Sequence, residues 1–262
     1  MTHQPIPLAT ELLLAFPFMA AFIIYITALA VSMKKDRDWP VYRTLFWSAG
    51  ILLCLIPVAG PLAQLAHMDF RYHMTGHLLL GMLGPLLMVL GAPVKLLLRA
   101  LPAAKAKTLT GILRSGTLAV LSNPAVTAGL NLGGLWVLYT TDLFRLMHES
   151  MLLHILIHLH IFLAGYLFTV SMIYIDPIPH RRSYVYRSII LIAALAAHGI
   201  LSKYLYAYPP AGVPRDEAET GGMLMYYGGD AVDVVIVIIL CWHWYRSTKP
   251  KTRNERTTYV SG

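Results

Sequence analysis

The chain has 262 residues, of which 57% are hydrophobic and 13% charged, about half the ~25% charged fraction of an ordinary soluble domain. Mean hydropathy is +0.60 and formal net charge +8, with apolar runs reaching the ~20 residues that a bilayer-spanning helix needs. This excludes a soluble globular domain, a disulfide-stapled secreted scaffold and a disordered chain, and basic residues confined to connections give no reason to invoke nucleic acid.

In chain order, the pattern predicts helices at 10–33, 43–65, 74–97, 124–141, 149–175, 187–207 and 225–246. The first lacks the basic leader and small-residue cleavage site of a signal peptide, so it is expected to remain as a helix. Lys34-Lys35-Asp36-Arg37-Asp38 and Pro40 separate it from the second. Val94 to Asn123 is too basic and too broken for a span and is expected on the membrane surface. Asp176-Pro177-Ile178-Pro179 ends the fifth helix, because proline cannot continue it. Pro209-Pro210, Gly212 and Pro214 make the sixth connection a loop. The expected architecture is all-α: one bundle of seven transmembrane helices over residues 1–246 and a basic tail over 247–262. Cys54 and Cys241 lie in apolar runs without a CxxC and read as small core residues.

Lysine and arginine set the expected orientation. Lys34, Lys35, Arg37 and Arg43, then Lys95, Arg99, Lys105, Lys107 and Arg114, then Arg181, Arg182 and Arg187, and finally Arg246, Lys249, Lys251, Arg253 and Arg256 fall on one side. Only Arg71, Arg145, Lys203 and Arg215 fall on the other. The N-terminus is therefore expected outside and the C-terminus in the cytoplasm.

An ionisable side chain within hydrocarbon costs ~2.5–3.5 kcal/mol on insertion scales. Counted inward at ~1.5 Å per residue, His77, His154, His158, His198, Asp230 and Asp233 share the outer third of the bilayer. His73 and His77 are four residues apart, as are His154 and His158, so each pair shares a helix face. Met147, Met151, His154 and His158 form one stripe, expected as an inward path for a soft cation, and Met74 stands at the same aqueous edge. His160 points nearly opposite. Imidazole with thioether favours copper over zinc or magnesium. Against this, a single intramembrane histidine is more often a hydrogen-bonded packing residue and a single methionine core filler. Asp230 and Asp233 also read as a proton relay or as partners of Lys203. Gly84-Pro85 and Gly91-Ala92-Pro93 predict kinks, and Gly221-Gly222 and Gly228-Gly229 close helix approach. No nucleophile–base motif, Walker loop, HExxH or Rossmann signature occurs, so an enzyme is not expected.

The segments His67-Met68, His73-Met74-Thr75-Gly76-His77, Gly84-Pro85-Leu86-Leu87 and Leu90-Gly91-Ala92-Pro93 resemble the CtaG family of cytochrome c oxidase assembly factors, the seven-helix type associated with caa-type oxidase. The likeness continues through His158-Leu159-His160, Asp176-Pro177-Ile178-Pro179, Ala197-His198-Gly199 and Gly221-Gly222-Met223-Leu224-Met225-Tyr226-Tyr227-Gly228-Gly229-Asp230. The resemblance implies a multi-pass protein of the bacterial plasma membrane that helps mature a haem–copper oxidase by handling copper. Its implied partners are oxidase subunits and a copper donor protein. His73, His77, His158, His198 and Asp230 fall on the family's motif segments; His154, Asp233 and the outer methionines rest on the depth argument. The expected site holds copper on His77, His154, His158 and His198, with Asp230 or Asp233 nearby and His73, Met74, Met147 and Met151 leading in. Two alternatives stay open. Paired transmembrane histidines also suit a b-type haem cytochrome. A copper or proton transporter would need a polar path to the cytoplasm, and the helices below His198 and Asp233 are almost wholly apolar.

Overall fold

In a computed structural model that describes residues 7–35 and 38–249, the chain forms thirteen α-helices, with no strand among those residues. The tail from 250 on, His3, Asp36 and Arg37 lie outside the described residues. Among the described residues, five stretches are long and apolar enough to cross a membrane: α1 (Leu8–Met33), Phe70–Leu90, α11 (Met151–Met172), α12 (Tyr184–Ala207) and α13 (Arg215–Thr248). Phe70–Leu90 is α4 (Phe70–Leu78) and α5 (Gly84–Leu90) joined by a π-helical turn, Leu79–Leu83. The other two expected spans are shorter helices, α2 (Val41–Leu55) and α9 (Pro124–Thr140). Outward leucines, isoleucines and phenylalanines such as Leu12, Phe16, Ile23, Ile192 and Ile238 are exposed, as a helical bundle in lipid requires.

Several expected boundaries move, each for a local reason. The second helix does not run to 65. It stops at Leu55 before Pro57, and Gly60 at φ +90° starts α3 (Pro61–Met68). The third begins earlier, at Phe70, where the Asp69 carboxylate accepts the Arg71 N–H at 2.8 Å. It also ends earlier, at Leu90. Proline disfavours the right-handed helical region for the residue before it, and Ala92 adopts φ 49°, ψ 57° instead, so that Pro93 opens a separate helix, α6 (Pro93–Ala100). The expected surface connection is three short helices, α6, α7 (Ala103–Leu113) and α8 (Gly116–Leu121), of which α7 buries none of its residues. The fifth expected helix, 149–175, runs as α11 from Met151 to Met172, and the extended backbone at Ser150 separates it from a short helix before it, α10 (Leu143–Glu149).

Helix α13 packs along both α12 and α4, α11 lies against α9 and the π turn, and α2 lies along α5. Tyr25 stacks on Trp47 at 4.8 Å and donates to the Gly91 carbonyl at 3.0 Å, tying α1 to the end of α5. Glu11 on α1 accepts from the Gly60 N–H at 3.2 Å and from Gln64 at 2.5 Å, holding α3 in place. Cys54 is buried; Cys241, expected in the core, is exposed on the outer face of α13.

Candidate metal centre

Two chain breaks assemble a first group of histidines at one end of the bundle. The extended corner at Asp69 brings His67 at the end of α3 beside His73 on α4. The extended Ser150, whose hydroxyl accepts the Leu153 N–H, turns the chain between α10 and α11 so that His148 lines the same cavity as His154 and His158. Ring centroids stand 4.7 Å apart for His67–His148, 6.0 Å for His67–His154, 6.4 Å for His73–His148 and 4.1 Å for His154–His158. Met147 and Pro57 complete the wall of a cavity of about 10 Å³ shared by all five rings. His67 and His148 also line a wider cavity of about 640 Å³, together with Met68, Asp69, Glu149 and Glu217. That vestibule is acidic, although each acid is engaged: Asp69 with Arg71 at 2.6 Å, Glu149 with Arg145 at 2.6 Å, Glu217 with the Phe70 N–H at 2.9 Å. The Arg71 guanidinium holds the Asp69 carboxyl below the usual carboxylate range.

The backbone sets which nitrogen of two rings carries the proton. His158 Nδ1 lies 2.8 Å from the His154 carbonyl, and His148 Nδ1 lies 2.8 Å from the Phe144 carbonyl. A carbonyl only accepts, so both Nδ1 atoms donate and each neutral ring presents an unprotonated Nε2. Metal-bound imidazoles are oriented by this kind of outer hydrogen bond. His73 Nε2 lies 3.0 Å from the Tyr139 hydroxyl.

One turn along α4 from His73, a second group forms. His77, His198 on α12 and Asp233 on α13 line a cavity of about 20 Å³, enough for one water-sized body. The His77 and His198 centroids are 6.3 Å apart. His198 lies against Gly229, where a Cβ would meet its ring. Neither ring nitrogen of His77 nor Nε2 of His198 has a hydrogen-bond partner, a costly state for buried polar atoms. Asp230 is half-buried and close enough to act electrostatically on His198 and Asp233. Lys203 does not pair with it; its ammonium sits 5.1 Å over the Tyr226 ring.

The expected residues thus divide into two groups rather than sharing one. His73, His154, His158 and Met147 join the outer group; His77, His198 and Asp233 form the inner one. The methionine stripe is interrupted by the Ser150 break, which leaves Met151 46% exposed. Met74 is buried against Gly221 of α13, away from the rings. His160 turns away as expected, against Gly134 with Nε2 3.1 Å from the Leu130 carbonyl. His67, His148 and Tyr139 were not among the expected site residues, although His67 falls in a segment carrying the resemblance. Among the described residues, no three His, Cys, Asp or Glu side chains stand ready to hold a metal ion together.

The family model described as cytochrome c oxidase caa3 assembly factor, Caa3_CtaG, matches residues 23–247. An uncharacterized protein of Mycobacterium leprae is 27% identical over 96% of this chain and 41% of its own length. Uncharacterized proteins of Mycobacterium bovis and Mycobacterium tuberculosis are each 31% identical over 66% of this chain and 27% of theirs. The chain therefore spans less than half the length of the curated relatives it matches. No solved structure matches it significantly.

Proposed function

Because this chain belongs to the cytochrome c oxidase caa3 assembly factor family, we propose that it serves oxidase maturation by taking up copper at its outer histidine group and passing it to the nascent enzyme. The observation that carries this reading is the convergence of His67, His73, His148, His154 and His158 on one small cavity, with the Nε2 atoms of His148 and His158 set as donors by backbone carbonyls. Neutral imidazoles with Met147 at their side form a donor set of the kind that suits copper. The acidic vestibule supplies the way in: a cation meets Asp69, Glu149 and Glu217 before it reaches His67 and His148.

Under the orientation expected from the lysine and arginine bias, this end of the bundle faces away from the cytoplasm. Copper would arrive there from a donor protein and leave to an oxidase subunit in the same bilayer, the chain acting as carrier rather than as enzyme. Spaces of about 10 and 20 Å³ among the histidines suit an ion and not a macrocycle, which supports copper over b-type haem.

The test is the copper content of the purified chain by elemental analysis, with and without His148→Ala and His158→Ala together, and the copper content of the oxidase in a strain lacking the gene. A lowered copper content of the double variant and copper-poor oxidase in the deletion strain are expected. Unchanged copper in both measurements would sink the proposal, and a Soret band in the purified chain would turn it toward a cytochrome.

A further inference from the structure

We infer that His77 and His198 form a second ion station, separate from the outer group, which binds a single monovalent soft cation by nearly linear coordination between two imidazole nitrogens. It rests on the copper reading above and gives the ion a place to go after the outer group.

Geometry selects the coordination. An ion held between two imidazole nitrogens at ~2.0 Å puts the ring centroids about 6 Å apart when the nitrogen–ion–nitrogen line is nearly straight, and about 5 Å apart at a tetrahedral angle. The observed separation is 6.3 Å. The cavity that both rings line, together with Asn131, Thr169 and Asp233, has the volume for one such body and no more, about 20 Å³. His77 and His198 are 4% and 5% exposed, and three of their four ring nitrogens have no hydrogen-bond partner. Packing alone does not explain two imidazoles that line one small buried cavity with three unsatisfied nitrogens, since each orphaned nitrogen is destabilising.

Coordination number selects the valence. Two imidazoles offer two nitrogen donors, and a soft monovalent ion such as copper(I) is satisfied by two donors in line, whereas the divalent ions that imidazole also suits take four or more ligands. Asp233, 4% exposed on the same cavity, and half-buried Asp230 beside it are the acidic groups near the ion. His73 and His77 lie one helical turn, ~5.4 Å, apart on α4, so an ion leaving the outer group through His73 reaches the inner pair in one step, with no electron transferred.

The test is anaerobic titration of the full chain in detergent with silver(I), a closed-shell probe of the same charge, counting ions per chain. Two ions are expected for the unaltered chain, one for His198→Gln or His77→Gln, and one for His148→Ala with His158→Ala. X-ray absorption on that last variant should report two nitrogen neighbours and no sulfur. Glutamine keeps polarity at the buried positions, and a monodisperse elution profile confirms folding. If His77→Gln and His198→Gln each leave the ion count unchanged, the inner station is refuted while the outer reading stands. Conversely, a single ion lost on His198→Gln but kept in the outer double variant upholds the inner station and removes the outer one.

Discussion

Gly165 of α11 rests directly on the carbonyl oxygen of Gly81 in the π turn, where a Cβ at residue 165 would collide with it. Pro85 has no N–H with which to occupy that carbonyl, so the turn widens and exposes it. His77 sits one turn earlier, its ring 3.4 Å from where a Gly81 Cβ would lie. The contact therefore ties α11 to the π turn, and both glycines form part of the wall of the inner cavity.

Gly165→Ala should lower stability by about 1–3 kcal/mol, because the obstructing atom is backbone and cannot swing aside. Gly129→Ala, at a position with nothing within 4 Å of the new methyl, should leave stability unchanged or slightly raised. Thermal unfolding of both variants in detergent checks the contrast; equal melting temperatures would contradict the packing described.

Asp176, in the connection after α11, accepts from the N–H groups of Val94 and Lys95 at 3.2 and 2.8 Å and so caps α6. Asp176→Ala should cost about 1–2 kcal/mol as a lost helix cap. Burial pushes this carboxyl above the usual carboxylate range, against the two N–H groups that draw it down. A raised folded-state pKa means that the stabilising contribution is complete below the ordinary carboxylate range and is lost as pH rises through the raised value. Asp176→Asn should remove that step from a melting-temperature profile taken against pH.

Tyr139→Phe deletes the hydroxyl 3.0 Å from His73 Nε2 and keeps the ring that packs on Phe70 and Phe144. A loss of about 1 kcal/mol is expected. If His73 belongs to the copper group, affinity should also fall, by about 10–100-fold, as it does when an orienting partner is removed. Competition against a copper(I) chelator measures it.

Arg187 is 1% exposed, donates to the Met172 carbonyl at 2.6 Å and lies 4.0 and 4.5 Å over the rings of Tyr174 and Tyr184. A lysine keeps the charge but not the planar stacking. Arg187→Lys should destabilise the chain by about 2 kcal/mol, the scale of a desolvated cation–π contact. Wild-type melting behaviour in this variant would show that charge alone suffices.

Some of this architecture could be read in advance from particular residues. The apolar runs mark the long helices and Gly229 the close approach of α13 to its neighbour, whereas Gly91-Ala92-Pro93, read as a kink within a helix to 97, is in fact a stop after Leu90. The break at Ser150 is hidden, because Leu146-Met147-His148 continues a helical apolar pattern into Met151 and only the extended backbone at Ser150 reveals the interruption. That interruption is why Met151 points outward and why His148, on what looked like a connection, enters the site.

The chain's own order of residues determined that this is a helical membrane-type protein with histidines on several helices near one end, since hydrophobic run length and residue depth are one-dimensional quantities. Which imidazoles meet was decided only by tertiary structure. Meeting depends on the rotation of each helix about its axis and on the kinks at Asp69, Ser150 and the π turn, and those follow from contacts between distant segments such as Gly165 on Gly81 and His198 on Gly229.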